Sequence, residues 1–179
     1  YRGKKLYSPE YEGVRPTSDR AREAVFNILS SKLAGDWAAC DMLDVFAGTG
    51  AVGLEALSRG VRSVTLLDVN LQTARRNAAL FAKEKDRISL ISADASRLPP
   101  APRQYNLVFL DAPYNKGLSV AALQSLAGQG WLAEDALVLV ELEKNEPLEM
   151  ESIPFFEQVD ERRYGLARVV FLHFLPAKK

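Results

Sequence analysis

Cysteine and histidine are almost absent from this chain of 179 residues, which contains one of each. A single cysteine excludes an internal disulfide, and a zinc site built from these two ligand types is not expected. The sequence also lacks an apolar run of membrane-spanning length and a secretory signal pattern. We therefore expect neither a membrane protein nor a disulfide-stapled secreted domain, and a cytoplasmic setting is favoured.

The net charge excludes few classes of protein, because 23 basic side chains balance 23 acidic ones. An apolar fraction of 47% and a charged fraction of 26% are typical of an ordinary globular protein, and the length fits one domain. The basic side chains are unevenly spread, since residues 1–32 contain seven of them against four acidic ones. Such a surplus is typical of a solvated surface and also of an RNA-contacting segment, and both interpretations stay open.

The strongest local pattern is the run DVFAGTGAVG at residues 44–53. It joins a short apolar segment, typical of a buried parallel strand, to a predicted helix, and its glycines have the spacing G-x-G-x-x-G. Such a turn lets a ligand approach backbone amides at the start of a helix. Nicotinamide, flavin and S-adenosylmethionine (SAM) proteins all use it, so this run alone does not choose the ligand.

Predicted strands and helices alternate through the middle of the chain. The apolar segments predict strands at 42–46, 64–67, 88–91, 105–110 and 136–140. The segments between them predict helices at 51–59, 70–84 and 118–127. Repeated units of this kind predict a parallel sheet that is covered by helices on both faces.

The two ends of the chain differ from this alternation. Strand-like runs at 155–163 and 166–175, joined at Tyr164-Gly165, predict a C-terminal antiparallel hairpin. Near the start, an apolar stripe predicts a helix that is capped by Thr17 or Ser18 and ends at Gly35. We therefore divide the chain into an N-terminal arm and helix, residues 1–35, and an α/β domain, residues 36–179.

Four aspartates stand at or close to the ends of predicted strands: Asp44, Asp68, Asp94 and Asp111. Because ligands of an open α/β sheet bind outside the carboxyl ends of its strands, we expect these side chains along one rim. Asp68 follows Gly48 by 20 residues, the separation at which an acid accepts hydrogen bonds from ribose hydroxyls. With no neighbouring histidine or cysteine ligand, nucleoside binding is favoured over a metal cluster, and no metal site is predicted.

The segment Asp111-Ala112-Pro113-Tyr114 follows the fourth predicted strand and helps to choose the ligand. The exocyclic amine of a base is a poor nucleophile, because its lone pair is delocalised into the ring. A carboxylate and a backbone carbonyl that accept its two hydrogens localise this pair, and an aromatic ring can stack on the base. The segment therefore predicts an amino-methyltransferase. A turn-capping aspartate followed by a surface tyrosine is the alternative.

These motifs resemble the class I, SAM-dependent amino-methyltransferases that carry an (Asn/Asp)-Pro-Pro-(Tyr/Phe) motif. More narrowly they are similar to the RsmD family, which methylates a guanine exocyclic amine in small-subunit (16S) ribosomal RNA. The resemblance runs over almost the whole chain, with one departure: Ala112 stands where the family usually has the first proline. It is carried by RPTSDR at 15–20, VFNIL at 25–29, DVFAGTG at 44–50, EALSRG at 55–60, DAPY at 111–114, Lys116-Gly117 and Tyr164-Gly165.

The resemblance implies a fold and a cofactor site. The fold is a Rossmann-like, mostly parallel seven-stranded sheet that ends in the antiparallel hairpin, and the cofactor is SAM. Asp44, Gly48 and Gly50 would line the methionine end of SAM. Asp68 would hold the ribose hydroxyls, Val69 would pack on the adenine, and Asp94 would take the adenine amine.

For the substrate, the resemblance implies catalytic roles for Asp111, Pro113 and Tyr114. Substrate contacts are expected from Arg15, Thr17 and Lys116. The expected partner is ribosomal RNA within the small subunit or an assembly intermediate, bound by a monomeric protein. Three alternatives stay open: an adenine amino-methyltransferase acting on DNA or another RNA, a non-catalytic SAM- or RNA-binding module, and a dinucleotide oxidoreductase.

Overall fold

The computed structural model describes residues 5–7 and 19–176, and within these ranges it contains four α-helices and seven β-strands. The helices are α1 (Asp19–Lys32), α2 (Ala51–Ser58), α3 (Gln72–Ala79) and α4 (Leu118–Gly128). The strands are β1 (Asp41–Val45), β2 (Ser63–Asp68), β3 (Ile88–Ser92), β4 (Tyr105–Leu110), β5 (Leu132–Glu143), β6 (Phe156–Tyr164) and β7 (Ala167–Phe174). No helix in the described ranges is long and apolar enough to cross a membrane.

All seven strands form one sheet, in the order β3-β2-β1-β4-β5-β7-β6. The strands β1 to β5 pair in parallel, whereas β7 is antiparallel to both of its neighbours, β5 and β6. The predicted sheet, mostly parallel with a C-terminal antiparallel hairpin, is therefore confirmed. Because β7 lies between β5 and β6, the last residue of β6 lies at the same edge of the sheet as the ends of β1 to β5.

The central strands are buried on both faces, which explains their nearly continuous apolar sequence. Successive side chains of a strand point to opposite faces, so Met42 and Leu43 of β1 belong to different hydrophobic clusters. The cluster of Met42 also contains Val25, Phe26 and Leu29 of α1, whose side chains are at most 5% exposed. Helix α1 therefore lies on the sheet, while the division of the chain after residue 35 stays a prediction.

Two elements differ in length from their predictions. Helix α3 ends at Ala79, where residues 70–84 were expected to be helical, and a 3-10 turn follows at Ala82–Arg87. Between them Phe81 has a non-helical backbone, φ −107° and ψ 45°, and a side chain that is 3% exposed, so the chain leaves the helix to bury this ring. Strand β5 is longer than the expected 136–140, because it begins at Leu132, which pairs with Tyr105 of β4, and ends at Glu143, which pairs with Ala167 of β7.

Candidate functional site

The strand order reverses between β1 and β4, which is the point where open α/β sheets bind ligands. Val45, the last residue of β1, pairs with Leu67 of β2 on one side and with Leu110 of β4 on the other. The segments that follow these three residues consequently leave the sheet side by side. The glycine loop after β1 therefore lies between Asp68 and Asp111.

The glycine loop has the geometry that its spacing predicts. Gly48 and Gly50 have positive φ angles of 55° and 80°, a conformation that suits glycine, and α2 begins directly after Gly50. A Cβ atom at Gly53 would lie 2.5 Å from Cδ2 of Leu66, so this glycine allows α2 to pack closely against β2. A Cβ atom at Gly48 would meet nothing within 4 Å, so there is open space beside the loop.

Asp44 lies beneath the loop and is only 2% exposed. Its Oδ2 accepts a hydrogen bond of 2.9 Å from the backbone N–H of Gly53, which belongs to the first turn of α2. Burial raises the pKa of Asp44 to about 8; the Gly53 N–H opposes this shift, and the nearby Asp68 carboxylate adds to it. The observed contact of Asp44 therefore holds the loop, and its predicted contact with a cofactor stays a prediction.

Asp68 is bound to the same loop from the side of β2. Its Oδ2 accepts from the Gly48 N–H at 2.8 Å, and its Oδ1 accepts from the Val69 N–H at 2.7 Å. The next side chain, Val69, is 69% exposed, so its apolar surface is open to a ligand. A carboxylate and an exposed apolar surface thus lie next to each other at the rim, as the binding of a nucleoside requires.

Asp94 follows β3, at the end of the rim beyond Asp68. Its Oδ1 accepts hydrogen bonds from the Ser96 hydroxyl at 2.7 Å and from the Ser96 backbone N–H at 2.9 Å. The bond from the Ser96 hydroxyl has the larger effect and the bond from the Ser96 N–H the next; both hold the pKa of the exposed Asp94 below its usual value. The side chain is thus ionised at neutral pH and can accept further hydrogen bonds from a ligand amine.

The segment Asp111-Ala112-Pro113-Tyr114 forms a corner directly after β4. The Asp111 N–H donates to the carbonyl of Val45 at 3.3 Å, which ties the corner to the start of the glycine loop. Ala112 is 4% exposed and anchors the corner in the core, whereas Pro113 is exposed. The Tyr114 hydroxyl donates to Oε1 of Glu141 at 3.4 Å, and Lys116 is exposed two residues further on.

Glu141 is a rim residue that the sequence did not single out. Val140 pairs with Leu110, so Glu141, which still belongs to β5, stands in the same row across the sheet as Asp111, and its side chain is 4% exposed. It also lines a largely apolar cleft between α1 and the sheet, together with Phe109 and Tyr164. A glutamate directly after the apolar run 136–140 was the available signal, because a charged side chain is rarely buried without a function or a partner.

Glu146 is a second carboxylate missed by the sequence reasoning, and it is 8% exposed. Its two oxygens accept from the Asn115 N–H at 2.9 Å and the Glu143 N–H at 3.2 Å. It therefore joins the Asp111 corner to the end of β5. Nothing local to its sequence indicates this bridge, which depends on two segments that are 31 residues apart.

Some predicted features lie elsewhere. Arg15 and Thr17, expected to contact the substrate, and both candidate caps of α1, Thr17 and Ser18, lie outside the described residues. Within the ranges 5–7 and 19–176, no group of three or more histidine, cysteine, aspartate or glutamate side chains is arranged to hold a metal ion. The other predicted site residues lie at the ends of strands β1 to β4 or in the segments that follow them, along one edge of the sheet. They are Asp44, Gly48, Gly50, Asp68, Val69, Asp94, Asp111, Pro113, Tyr114 and Lys116.

Known proteins are similar to this chain over most of its length. A family model described as Conserved hypothetical protein 95 matches residues 1–173. Ribosomal RNA small subunit methyltransferase D from Escherichia coli (strain K12) is 39% identical over 147 residues, which cover 80% of this chain and 71% of the relative. The chain belongs to the RsmD family.

Further comparisons agree with this assignment. The small subunit methyltransferase D of Haemophilus influenzae is 35% identical over 158 residues, covering 83% of this chain and 78% of the relative. A solved Escherichia coli structure, provisionally described as a methyltransferase, is 31% identical with a TM-score of 0.76 and covers 97% of this chain and 93% of its own. The fold is that of the class I methyltransferases, as the sequence resemblance implied.

Proposed function

We propose that this protein transfers a methyl group from SAM to the exocyclic amine of a guanine in small-subunit ribosomal RNA. Membership of the RsmD family supports methylation of ribosomal RNA in general. One observation carries the more specific proposal. The Asp111 corner leaves β4 at the strand-order reversal, with its N–H on the carbonyl of Val45, so the residue that we propose as the acceptor for the target amine lies beside the glycine loop.

The loop region fits SAM. The open space at Gly48 leaves the backbone accessible to the methionine end, and Asp68 with the exposed Val69 suits the ribose and the adenine. Asp94, ionised at the far end of this surface, would accept from the adenine amine. When bound, SAM supplies an activated methyl group on a positively charged sulfur, which keeps the electron pair of the broken bond.

The corner supplies what the target amine needs. The Asp111 carboxylate and a backbone carbonyl of the corner would accept hydrogen bonds from the two amine hydrogens, which localises the nitrogen lone pair toward the methyl group. After transfer, the methylated nitrogen would release one of these protons to the Asp111 carboxylate and from there to water. Tyr114 would stack on the base, and Pro113 limits the motion of the corner. In this mechanism most of the rate enhancement comes from positioning and from the fixed charges of the site.

Glu141 supports guanine over adenine as the target. Guanine presents hydrogen-bond donors at both N1 and its exocyclic amine, whereas adenine presents an acceptor at N1. A second carboxylate in the same row as Asp111 can accept from the N1–H of guanine, and it would repel the lone pair on N1 of adenine. The two carboxylates at the rim therefore favour guanine, because guanine presents a donor at N1 where adenine presents an acceptor.

The remaining parts of the proposal concern the RNA and its setting. Arg15, Thr17 and Lys116 would contact phosphates that flank the target nucleotide. A net charge of zero provides little general attraction to RNA, which favours a ribosomal subunit or an assembly intermediate, where bound proteins present the RNA. We propose that the protein acts on it as a monomer, in the cytoplasm where ribosomal subunits are assembled.

The test is transfer of tritiated methyl from SAM to small ribosomal subunits from a strain that lacks this protein, with naked 16S RNA in parallel. Nucleoside analysis of the RNA identifies the methylated base. We expect label in N2-methylguanosine, and a loss of about 10²-fold or more in rate for Asp111→Ala, which removes the side-chain acceptor. Asp135→Ala, at an exposed site before the apolar part of β5, is the matched control and should retain wild-type activity.

Each other outcome contradicts a defined part of the proposal. Label in methyladenosine would support the adenine alternative and overturn the role given to Glu141. Binding of SAM without transfer to either RNA substrate would favour the non-catalytic module. If a fluorescence titration shows binding of NADH, and the protein does not bind SAM, the oxidoreductase would be favoured.

A further inference from the structure

Asn77 of α3 is a fully buried polar residue that lies between two chemically different segments. Its side chain is 0% exposed, and all three of its hydrogen bonds go to backbone groups. An asparagine amide has two N–H donors and one carbonyl oxygen, so both donors and the acceptor are used. Such complete pairing is required of a buried amide, and the partners reveal what the residue connects.

One side of the Asn77 amide binds the N-terminal segment at residues 5–7. Its Oδ1 accepts from the backbone N–H of Tyr7 at 2.6 Å, and its Nδ2 donates to the carbonyl of Tyr7 at 3.1 Å. The amide thus pairs with Tyr7 from both directions, as a neighbouring strand residue would. The guanidinium of Arg76 lies 4.1 Å above the Tyr7 ring, and Leu6 packs against the hydrophobic core.

The other side of the amide binds the glycine loop. Its Nδ2 donates to the carbonyl of Thr49 at 2.8 Å, between the two glycines that have positive φ angles. In the same loop, Asp68 holds the Gly48 N–H and Asp44 holds the Gly53 N–H. Asn77 is therefore the described side chain through which residues 5–7 are hydrogen-bonded to the loop.

We propose that Asn77 is a positioning residue for the cofactor, through which docking of Tyr7 stabilises the SAM-binding shape of the glycine loop. The coupling rests on the proposed use of SAM and adds to it a role for the N-terminal segment. Because one rigid amide holds both segments, fixing Tyr7 restricts the carbonyl of Thr49. By reciprocity, SAM bound at the loop must stabilise the docked state of Tyr7.

Titration calorimetry with SAM on the full chain tests the coupling. We expect Asn77→Ala to weaken SAM binding about tenfold, because the carbonyl of Thr49 loses its donor. Asn77→Asp keeps the volume and the acceptor for Tyr7 but removes both donors, so it should bind no better than Asn77→Ala. Arg75→Ala, on an exposed position of the same helix, is the matched control and should bind as wild type does.

The Tyr7 variants test the segment itself. Tyr7→Pro removes the N–H that donates a hydrogen bond to Oδ1 of Asn77, whereas Tyr7→Ala keeps both backbone groups and loses only the ring. We expect Tyr7→Pro to weaken SAM binding about fivefold and Tyr7→Ala to have a smaller effect. In the double variant with Asn77→Ala, Tyr7→Pro should cause no further loss, because both changes break the same connection.

Hydrogen exchange provides a readout that a general loss of stability would not mimic. In the wild type, SAM should slow exchange of the Tyr7 amide, and in Asn77→Ala this protection should disappear while the other strands remain protected. In steady-state kinetics, KM for SAM should rise while kcat changes little.

Wild-type affinity for SAM in Asn77→Ala or Asn77→Asp would overturn the coupling and leave the proposed function intact. So would a SAM-independent exchange rate at Tyr7 in the wild type. Failure of the wild type to bind SAM at all would instead overturn the proposed function.

Discussion

The glycine loop and the Asp111 corner leave neighbouring strands, yet they are held in different ways. Three buried or half-buried side chains, Asp44, Asp68 and Asn77, bind backbone groups of the loop at distances of 2.8 to 2.9 Å. The corner has the buried Ala112, a contact of 3.3 Å from the Asp111 N–H and one of 3.4 Å from the Tyr114 hydroxyl, and Glu146 holds the next residue, Asn115, at 2.9 Å.

This difference fits the molecule that each of the two segments would bind. The loop half would bind one small molecule in every cycle, so a rigid backbone lowers the cost of ordering it. The corner would receive a base that leaves its RNA structure, and an exposed Pro113 and Lys116 leave room for that approach. Substitutions in the two halves should therefore change different measured quantities.

The largest effect on catalysis is expected at Asp111 of the corner, and we compare it with a substitution of Asp68 at the cofactor surface. Asp111→Ala should lower kcat by about 10² to 10³-fold with an unchanged dissociation constant for SAM, because it removes the side-chain acceptor for the amine hydrogens. Asp68→Asn should weaken SAM binding by about tenfold while kcat at saturating SAM stays within about threefold. Single-turnover kinetics and calorimetry separate the two, and equal changes in both parameters for both variants would contradict the division.

Next in size is the packing of α2 behind the loop. Gly53→Ala should lower the free energy of unfolding by about 3 kcal/mol, because its Cβ would lie 2.5 Å from Leu66 and 2.9 Å from Val64. Urea denaturation measures this change. Gly128→Ala is the control, since a Cβ there would meet nothing within 4 Å and should change stability by about 0.5 kcal/mol at most. Equal stability of the two variants would show that the loop half is more adaptable than its contacts imply.

A third effect is expected in the pH dependence of stability. Asp44 has a pKa of about 8 in the folded protein and about 3.9 when unfolded. Between these values the folded chain binds a proton that the unfolded chain lacks, so the free energy of unfolding falls as pH rises. This contribution is fully present below about pH 4 and is lost as pH rises through 8.

Asp44→Asn should remove that slope and still accept from the Gly53 N–H. Between pH 5 and 8.5 the wild type should lose about 4 kcal/mol more than the variant in urea denaturation. Asp41→Asn is the control, because the Arg62 hydrogen bond lowers the pKa of Asp41 to about 2 and its effect is lost only in acid. A slope that persists in Asp44→Asn would assign the pH dependence to another group.

The smallest effect is expected from restoring the family's usual proline. Ala112→Pro should change kcat by no more than about threefold, because the backbone carbonyl of residue 112 is retained in both forms. The comparison of kcat and of SAM affinity for the two proteins is sufficient. A gain of tenfold or more would mean that the corner of this protein is too loose for efficient transfer.

Local patterns were sufficient for much of the site. The glycine spacing and the aspartates at strand ends predicted the loop and the rim, because parallel strands must end at a common edge. Helix α3 was predicted too long, since its periodicity continues past Ala79 while Phe81 turns into the core. The ends of β5 were missed because Leu132 is separated from the apolar run and becomes strand through pairing with β4, while Glu141 and Glu143 become strand through pairing with β7.

The sequence by itself determined the alternation of elements, the glycine loop and the Asp111 corner, since each depends on residues that are close in the chain. Only the tertiary structure decided that β7 lies between β5 and β6, that Glu141 stands in the row of Asp111, and that Asn77 joins Tyr7 to Thr49. These relations depend on strand register and on contacts between segments up to 70 residues apart. No local preference encodes them, because they arise from the packing that buries the most apolar surface while pairing each buried polar group.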